Sequence, residues 1–159
     1  MRAISSTGLA MVLALISSVT AQAADADRRY VPAPPPVGGG AAAPFSEAIL
    51  ANGTLYVAGH VGIDPATKLA ATDVDVEARL VLDAVKKTVE QAGLSLDDLV
   101  SVTVYCTDLK LYDGFNAIYR TYFHGQYPTR AFIGVNQLVR GAHFEISGIA
   151  VAHRPMLLH

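Results

Sequence analysis

The chain has 159 residues, 52% of them hydrophobic and 16% charged, with a formal net charge of −2. That length allows one cored domain plus extensions, and the charge balance excludes a basic surface of the kind that grips nucleic acid by counterion release. A single cysteine, Cys106, excludes any intrachain disulfide, and its place in the apolar run Val100 to Thr107 predicts a buried, inert thiol.

The first residues read as a targeting segment. Met1-Arg2 gives a positive start, Leu9 to Ile16 an unbroken apolar run, and Ala21-Gln22-Ala23 a small-residue cleavage site, which predicts a secretory signal over 1–23. The run is too short to span a bilayer, so no stable membrane anchor is expected after cleavage. Losing it removes only Arg2 and leaves 11 basic against 14 acidic side chains, a formal charge of −3. Export without disulfides fits a bacterial periplasm.

Residues 24–44 contain Val31-Pro32-Ala33-Pro34-Pro35-Pro36-Val37-Gly38-Gly39-Gly40, a composition expected to give an unpacked leader. The folded unit is therefore expected to span 45–154, with 155–159 as a tail. Phe45–Ala51 and Thr54–Gly59 read as strands joined at Asn52-Gly53, a pair that accepts the positive φ angles of a tight hairpin. From Asp73 to Ala92, Val74, Ala78, Val81, Val85, Val89 and Ala92 lay one apolar stripe along a helix, with Asp73 as N-cap and Gly93 as stop. Val100–Thr107 alternates as a strand, and Asp113–Phe123 carries a second helical stripe of Phe115, Ile118, Tyr119 and Tyr122. Pro128 separates it from a closing pair of strands, Thr129–Val135 and Ala142–Val151, read as a hairpin. The order ββαβαββ implies an α+β fold, one mixed sheet backed by two helices. Its other face carries apolar residues too, as in Phe132, Ile133 and Val135, and is expected to be covered by other subunits.

The closing strands hold the chemistry. Arg130 and Glu145 are charged residues in apolar runs, where an uncompensated charge costs several kcal/mol or so. A guanidinium offers paired donors that match a carboxylate, and a glutamate among apolar neighbours suits general acid/base work. A structural Arg–Glu pair would explain the same pattern, and the strands alone leave both open. The five histidines show no metal-ligand spacing, so neither a metal nor a cofactor is expected.

In this order, Pro44-Phe45-Ser46-Glu47-Ala48, Val57-Ala58-Gly59-His60-Val61-Gly62, Gln91-Ala92-Gly93-Leu94, Asp108-Leu109, Phe115-Asn116, Tyr127-Pro128-Thr129-Arg130 and Phe144-Glu145-Ile146-Ser147-Gly148 resemble the RidA/YjgF family, formerly called endoribonuclease L-PSP. The resemblance implies a chorismate-mutase-like fold and a homotrimer with clefts between subunits. It implies hydrolysis of reactive 2-imino acids to 2-keto acids and ammonia. Arg130 matches the arginine that holds the substrate carboxylate, and Glu145 the glutamate that activates water. The backbone at Phe132 matches a second carboxylate contact, and Gly59 and Asn116 match cleft-lining positions. Phe45, Ala58 and Phe132 stand where the family often has tyrosine, serine and cysteine, which predicts a more apolar pocket. His60 stands where it often has glutamine and is read as facing the cleft. A carboxylate-binding trimer without turnover is the alternative. RNA cleavage, the older label, is the least favoured by charge.

Overall fold

An Asn-Gly turn and a capped helix set the frame of the computed structural model, which describes residues 28–36 and 40–152. Asn52 and Gly53 both take positive φ and join strands β2 (Ser46–Ala51) and β3 (Thr54–Val61), as expected. Asp73 caps helix α1 (Val74–Gln91), its carboxylate accepting from the backbone N–H of Asp75 and Val76. The helix ends at Gly93, with φ 81°. Strand β4 (Leu99–Cys106), helix α2 (Tyr112–Tyr119), a 3₁₀ turn at Arg120–Tyr122, strand β5 (Thr129–Gly134) and strand β6 (Phe144–Val151) complete the expected order. The fold is α+β, one mixed sheet with both helices on one face.

Two expectations are corrected. The segment before Pro44 is not wholly an unpacked leader, because Arg28–Pro32 forms a strand, β1, paired antiparallel with β2. Val31 is buried, and the Arg29 guanidinium donates to the carbonyl of Ala92 at the C-terminal end of α1, where the helix dipole favours a cation. The expected signal segment, 1–23, lies outside the described residues, as does the tail, 155–159. The closing strands, moreover, are not a hairpin. The sheet order is β1-β2-β3-β6-β4-β5, so β6 enters between β3 and β4, while β5 lies parallel to β4 at the edge. Apolar alternation sets which residues face inward but not which strand lies alongside.

The core lies between the sheet and the helices. Leu55, Val57, Val102, Val104, Cys106, Phe144 and Ile146 meet Val81, Val85 and Val89 of α1 and Phe115 and Ile118 of α2. Gly62 permits the close approach of α1, since a Cβ there would strike the backbone of Glu77. Cys106 is fully buried, its thiol against the Asp108 carbonyl at 3.1 Å, and burial pushes its pKa up. The opposite sheet face is open in the single chain, with Tyr56, Ile133 and Ile149 between 36% and 53% exposed.

One carboxylate ties a helix to the strand that carries Glu145. Glu77, fully buried in α1, accepts from the His143 and Phe144 backbone N–H groups at 2.6 and 2.9 Å, and its second oxygen lies 2.7 Å from His143 Nδ1. These bonds compensate the buried charge and fix the start of β6.

Candidate functional site

Arg130 and Glu145 do not pair with each other. On β4, Val102, Val104 and Cys106 lie beneath the helices, so Ser101, Thr103 and Tyr105 face the open side. Arg130 is registered beside Val102 and Glu145 beside Tyr105, which puts the two side chains on opposite faces of the sheet. Strand geometry sets their Cα atoms roughly 14 Å apart. Both are half-buried rather than buried, because β5 is an edge strand and the face under Glu145 is open.

The Arg130 half of the site is tightly held. Its Nη2 donates to Asn116 Oδ1 at 2.7 Å, and Asn116 is buried on α2. Its guanidinium carbon lies 4.7 Å from the ring centre of Tyr119, 5.6 Å from Phe132 and 5.9 Å from Tyr112, distances at which the ring faces attract a cation. These groups fix the plane of the fork while leaving it further N–H donors for an anion. A cleft of about 260 Å³ opens beside it, lined by Asn116 and Arg130 together with Tyr112, Tyr119, Arg120, Tyr127 and Pro128.

Burial pushes the Tyr119 hydroxyl up to about 12, against the lowering effect of the neighbouring Arg130 charge. It therefore stays protonated near neutral pH and is no general base. The Phe132 ring does not line the cleft. It packs edge-on against Tyr112 and Phe115, with centroids 4.9 and 5.5 Å away, so the added bulk at this position anchors α2 instead of filling the pocket.

The Glu145 half is built by a bulge. Between Val57 and His60 the pairing of β3 with β6 shifts, so Ala58 and Gly59 are accommodated against Ser147 alone. A Cβ at Gly59 would collide with the Glu145 carboxylate, so the glycine is the seat of that side chain. Phe45 stands just before β2 and is 55% exposed. Thus the structure brings Arg130, Asn116 and Phe132 together on one side, and Glu145 with Gly59 and Ala58 on the other.

His60 is not in the cleft beside Arg130. The bulge turns it to the helix side, where its Nδ1 lies 3.1 Å from Glu47 Oε2 and burial holds its pKa below the ordinary value despite the Glu47 charge. The cleft-lining Tyr112 and Arg120 were not singled out from the sequence, and Tyr127 entered only as part of the motif that ends in Arg130. The signal was present in the spacing of four from Tyr112 to Asn116 to Arg120, one polar edge beside the apolar stripe of the helix.

Comparison with known proteins places these halves in context. The family model for endoribonuclease L-PSP matches residues 38–152. A RutC family protein of Sulfurisphaera tokodaii is 39% identical over 118 residues, covering 74% of this chain and 90% of its own. The mouse 2-iminobutanoate/2-iminopropanoate deaminase is 37% identical over 109 residues, 68% of this chain and 81% of its own. The YjgF gene product of Escherichia coli superposes with a TM-score of 0.69 at 30% identity, covering 79% of this chain and 99% of that one. With its sheet order, its Arg130–Asn116 pair and its glycine-seated Glu145 in the matched region, the chain belongs to the RidA/YjgF, or endoribonuclease L-PSP, family.

Proposed function

We propose that this protein hydrolyses 2-imino acids to 2-keto acids and ammonia at a cleft shared by neighbouring subunits of a homotrimer. The observation that carries the reading is the placement of Arg130 and Glu145 on opposite faces of one sheet. A closed ring of three subunits uses two different surfaces of each chain, so the Arg130-bearing edge of one subunit can meet the Glu145-bearing face of the next. The exposed Tyr56, Ile133 and Ile149 supply apolar area for that contact. The deaminases among the relatives support the reaction class.

In this mechanism the Arg130 fork, oriented by Asn116, takes the substrate carboxylate. A protonated imine carbon is already electrophilic, so positioning supplies much of the rate. Glu145 accepts a proton from water as its oxygen bonds to the imine carbon. The same carboxyl group then returns the proton to nitrogen, the C–N bond breaks, and ammonia leaves as the carbonyl forms, the hydroxyl proton passing back to the Glu145 carboxylate. No electrons are exchanged with any other group.

Ammonia release from freshly generated 2-iminopropanoate tests the proposal. Hydrolysis well above the uncatalysed rate, lost in both Glu145→Gln and Arg130→Ala with folding intact, is the expected result; no acceleration by the wild-type protein overturns it. The competing reading, carboxylate binding without turnover, is favoured by the absence of hydroxyls at Phe45 and Ala58. It predicts 2-keto acid binding that depends on Arg130 with no ammonia released. The proposal includes export to the periplasm, supported by the signal-like sequence of residues 1–23. Mass spectrometry of the protein recovered from its native host should find an N-terminus at Ala24; an intact Met1 would overturn this part.

A further inference from the structure

The cleft beside Arg130 contains a second cation that carboxylate binding alone does not require. Arg120 lines the same cleft, and among the described residues no aspartate or glutamate does. Its guanidinium has no hydrogen bond or ion pair among the described residues, whereas that of Arg130 is bonded to Asn116. As the residue that ends α2, Arg120 would complement the helix dipole from any outward orientation, so that role does not account for its place on the cleft wall.

The spacing indicates what the second guanidinium would meet. Asn116, which orients Arg130, and Arg120 are four residues apart, one turn along the same helical face, with Cβ atoms about 5–6 Å apart. In a four- or five-carbon diacid, two carboxylate carbons are separated by about 4–5 Å, as bonds of about 1.5 Å dictate. One carboxylate on Arg130 therefore leaves the other within reach of the long Arg120 side chain. A cleft of about 260 Å³ holds a molecule of this size. With no carboxylate from the same chain among the described residues of its lining, a cleft that holds two cations favours an anion with two charges, even where the neighbouring subunit brings Glu145 to it.

We propose that the cleft selects dicarboxylic 2-imino acids, with Arg130 binding the carboxylate next to the imine and Arg120 the distal one. This rests on the deaminase reading of the same site. The reaction that supplies such a substrate is the two-electron dehydrogenation of an acidic amino acid, which leaves both carboxylates in place.

The test compares two imines, iminosuccinate and 2-iminopropanoate, made in place by amino-acid oxidases acting on aspartate and alanine with oxygen as oxidant. Calorimetric binding of 2-oxoglutarate and 2-oxobutanoate is measured alongside. Wild-type protein should prefer the diacid in kcat/KM and in affinity, and Arg120→Gln should lower both preference ratios about tenfold, the scale of one charge-assisted contact. Equal ratios in wild-type and Arg120→Gln proteins, or equal affinity for the two keto acids, would overturn the proposal. If neither imine is hydrolysed, the deaminase reading fails, and the binding ratios still decide whether the cleft takes a diacid.

Discussion

The Glu145 carboxylate lies directly over Gly59, on the neighbouring strand, and occupies the space where any other residue would place its Cβ. Gly59→Ala should therefore displace the carboxylate from its seat. The expected result is a loss of imine hydrolysis of about 10²-fold, the scale for a catalytic group misplaced by about 1 Å. Circular dichroism and the melting temperature should show that the fold persists. Undiminished turnover would mean that the carboxylate works from another position.

Opposite-face placement of Arg130 and Glu145 has a sharper consequence for subunit mixing. Arg130→Ala and Glu145→Gln proteins should each be inactive. Unfolded together and refolded, they should regain about a quarter of wild-type activity, since that share of the clefts would receive an intact residue from each neighbour. No recovery in verified mixed trimers would show that both residues of a working site come from one chain.

Asn116 accepts from Arg130 at 2.7 Å and is itself buried. Removing it in Asn116→Ala leaves the guanidinium free to turn, and KM should rise about tenfold, with kcat changed less, as expected for loss of a bond worth about 1–2 kcal/mol. Steady-state kinetics separate the two parameters. An effect confined to kcat would instead place Asn116 in the chemical step.

The three bonds to the Glu77 carboxylate fasten α1 to the start of β6. Glu77→Ala leaves the His143 and Phe144 backbone N–H groups without their acceptor beneath α1, and urea unfolding should show a loss on the order of 3 kcal/mol. A loss below about 1 kcal/mol would mean that water replaces the carboxylate at no penalty.

His60 gives a pH signature of stability. Burial lowers its pKa below the value of about 6.5 that it has in an unfolded chain. The unfolded state therefore binds the proton more readily, and this residue's contribution is present above about pH 6.5 and is lost as the pH falls toward the lowered folded-state value. Chemical denaturation across that window should show a shallower acid loss in His60→Gln than in wild type. Parallel curves would remove His60 as the source.

Much of the fold was legible from local signals. Asp73 announced α1, Asn52-Gly53 the first hairpin, and the two helical stripes the covered face of the sheet. Strand neighbours were not legible, because alternation in Phe144–Val151 specifies a buried face and is silent on whether β5 or β4 lies beside it. That is also why Arg130 and Glu145 could be read as a possible pair. β1 was hidden by the prolines that follow it, although Val31 is buried and Arg29 reaches the end of α1. The family motifs named Arg130, Glu145, Gly59 and Asn116, but they did not reveal that one chain holds them in two separate halves.

The sheet order also dictates when the molecule can become whole. β1–β3 form one hydrogen-bonded unit and β4 and β5 another, and among the described residues β6, which follows the other five in sequence, is the sole strand joining them. Until Phe144–Val151 has left the ribosome, neither unit can close on the other, and both present unpaired edges. Closure of the sheet thus waits for β6 to emerge, and a chain stopped before Phe144 would lose Glu145 and the seam of the sheet in the same stroke.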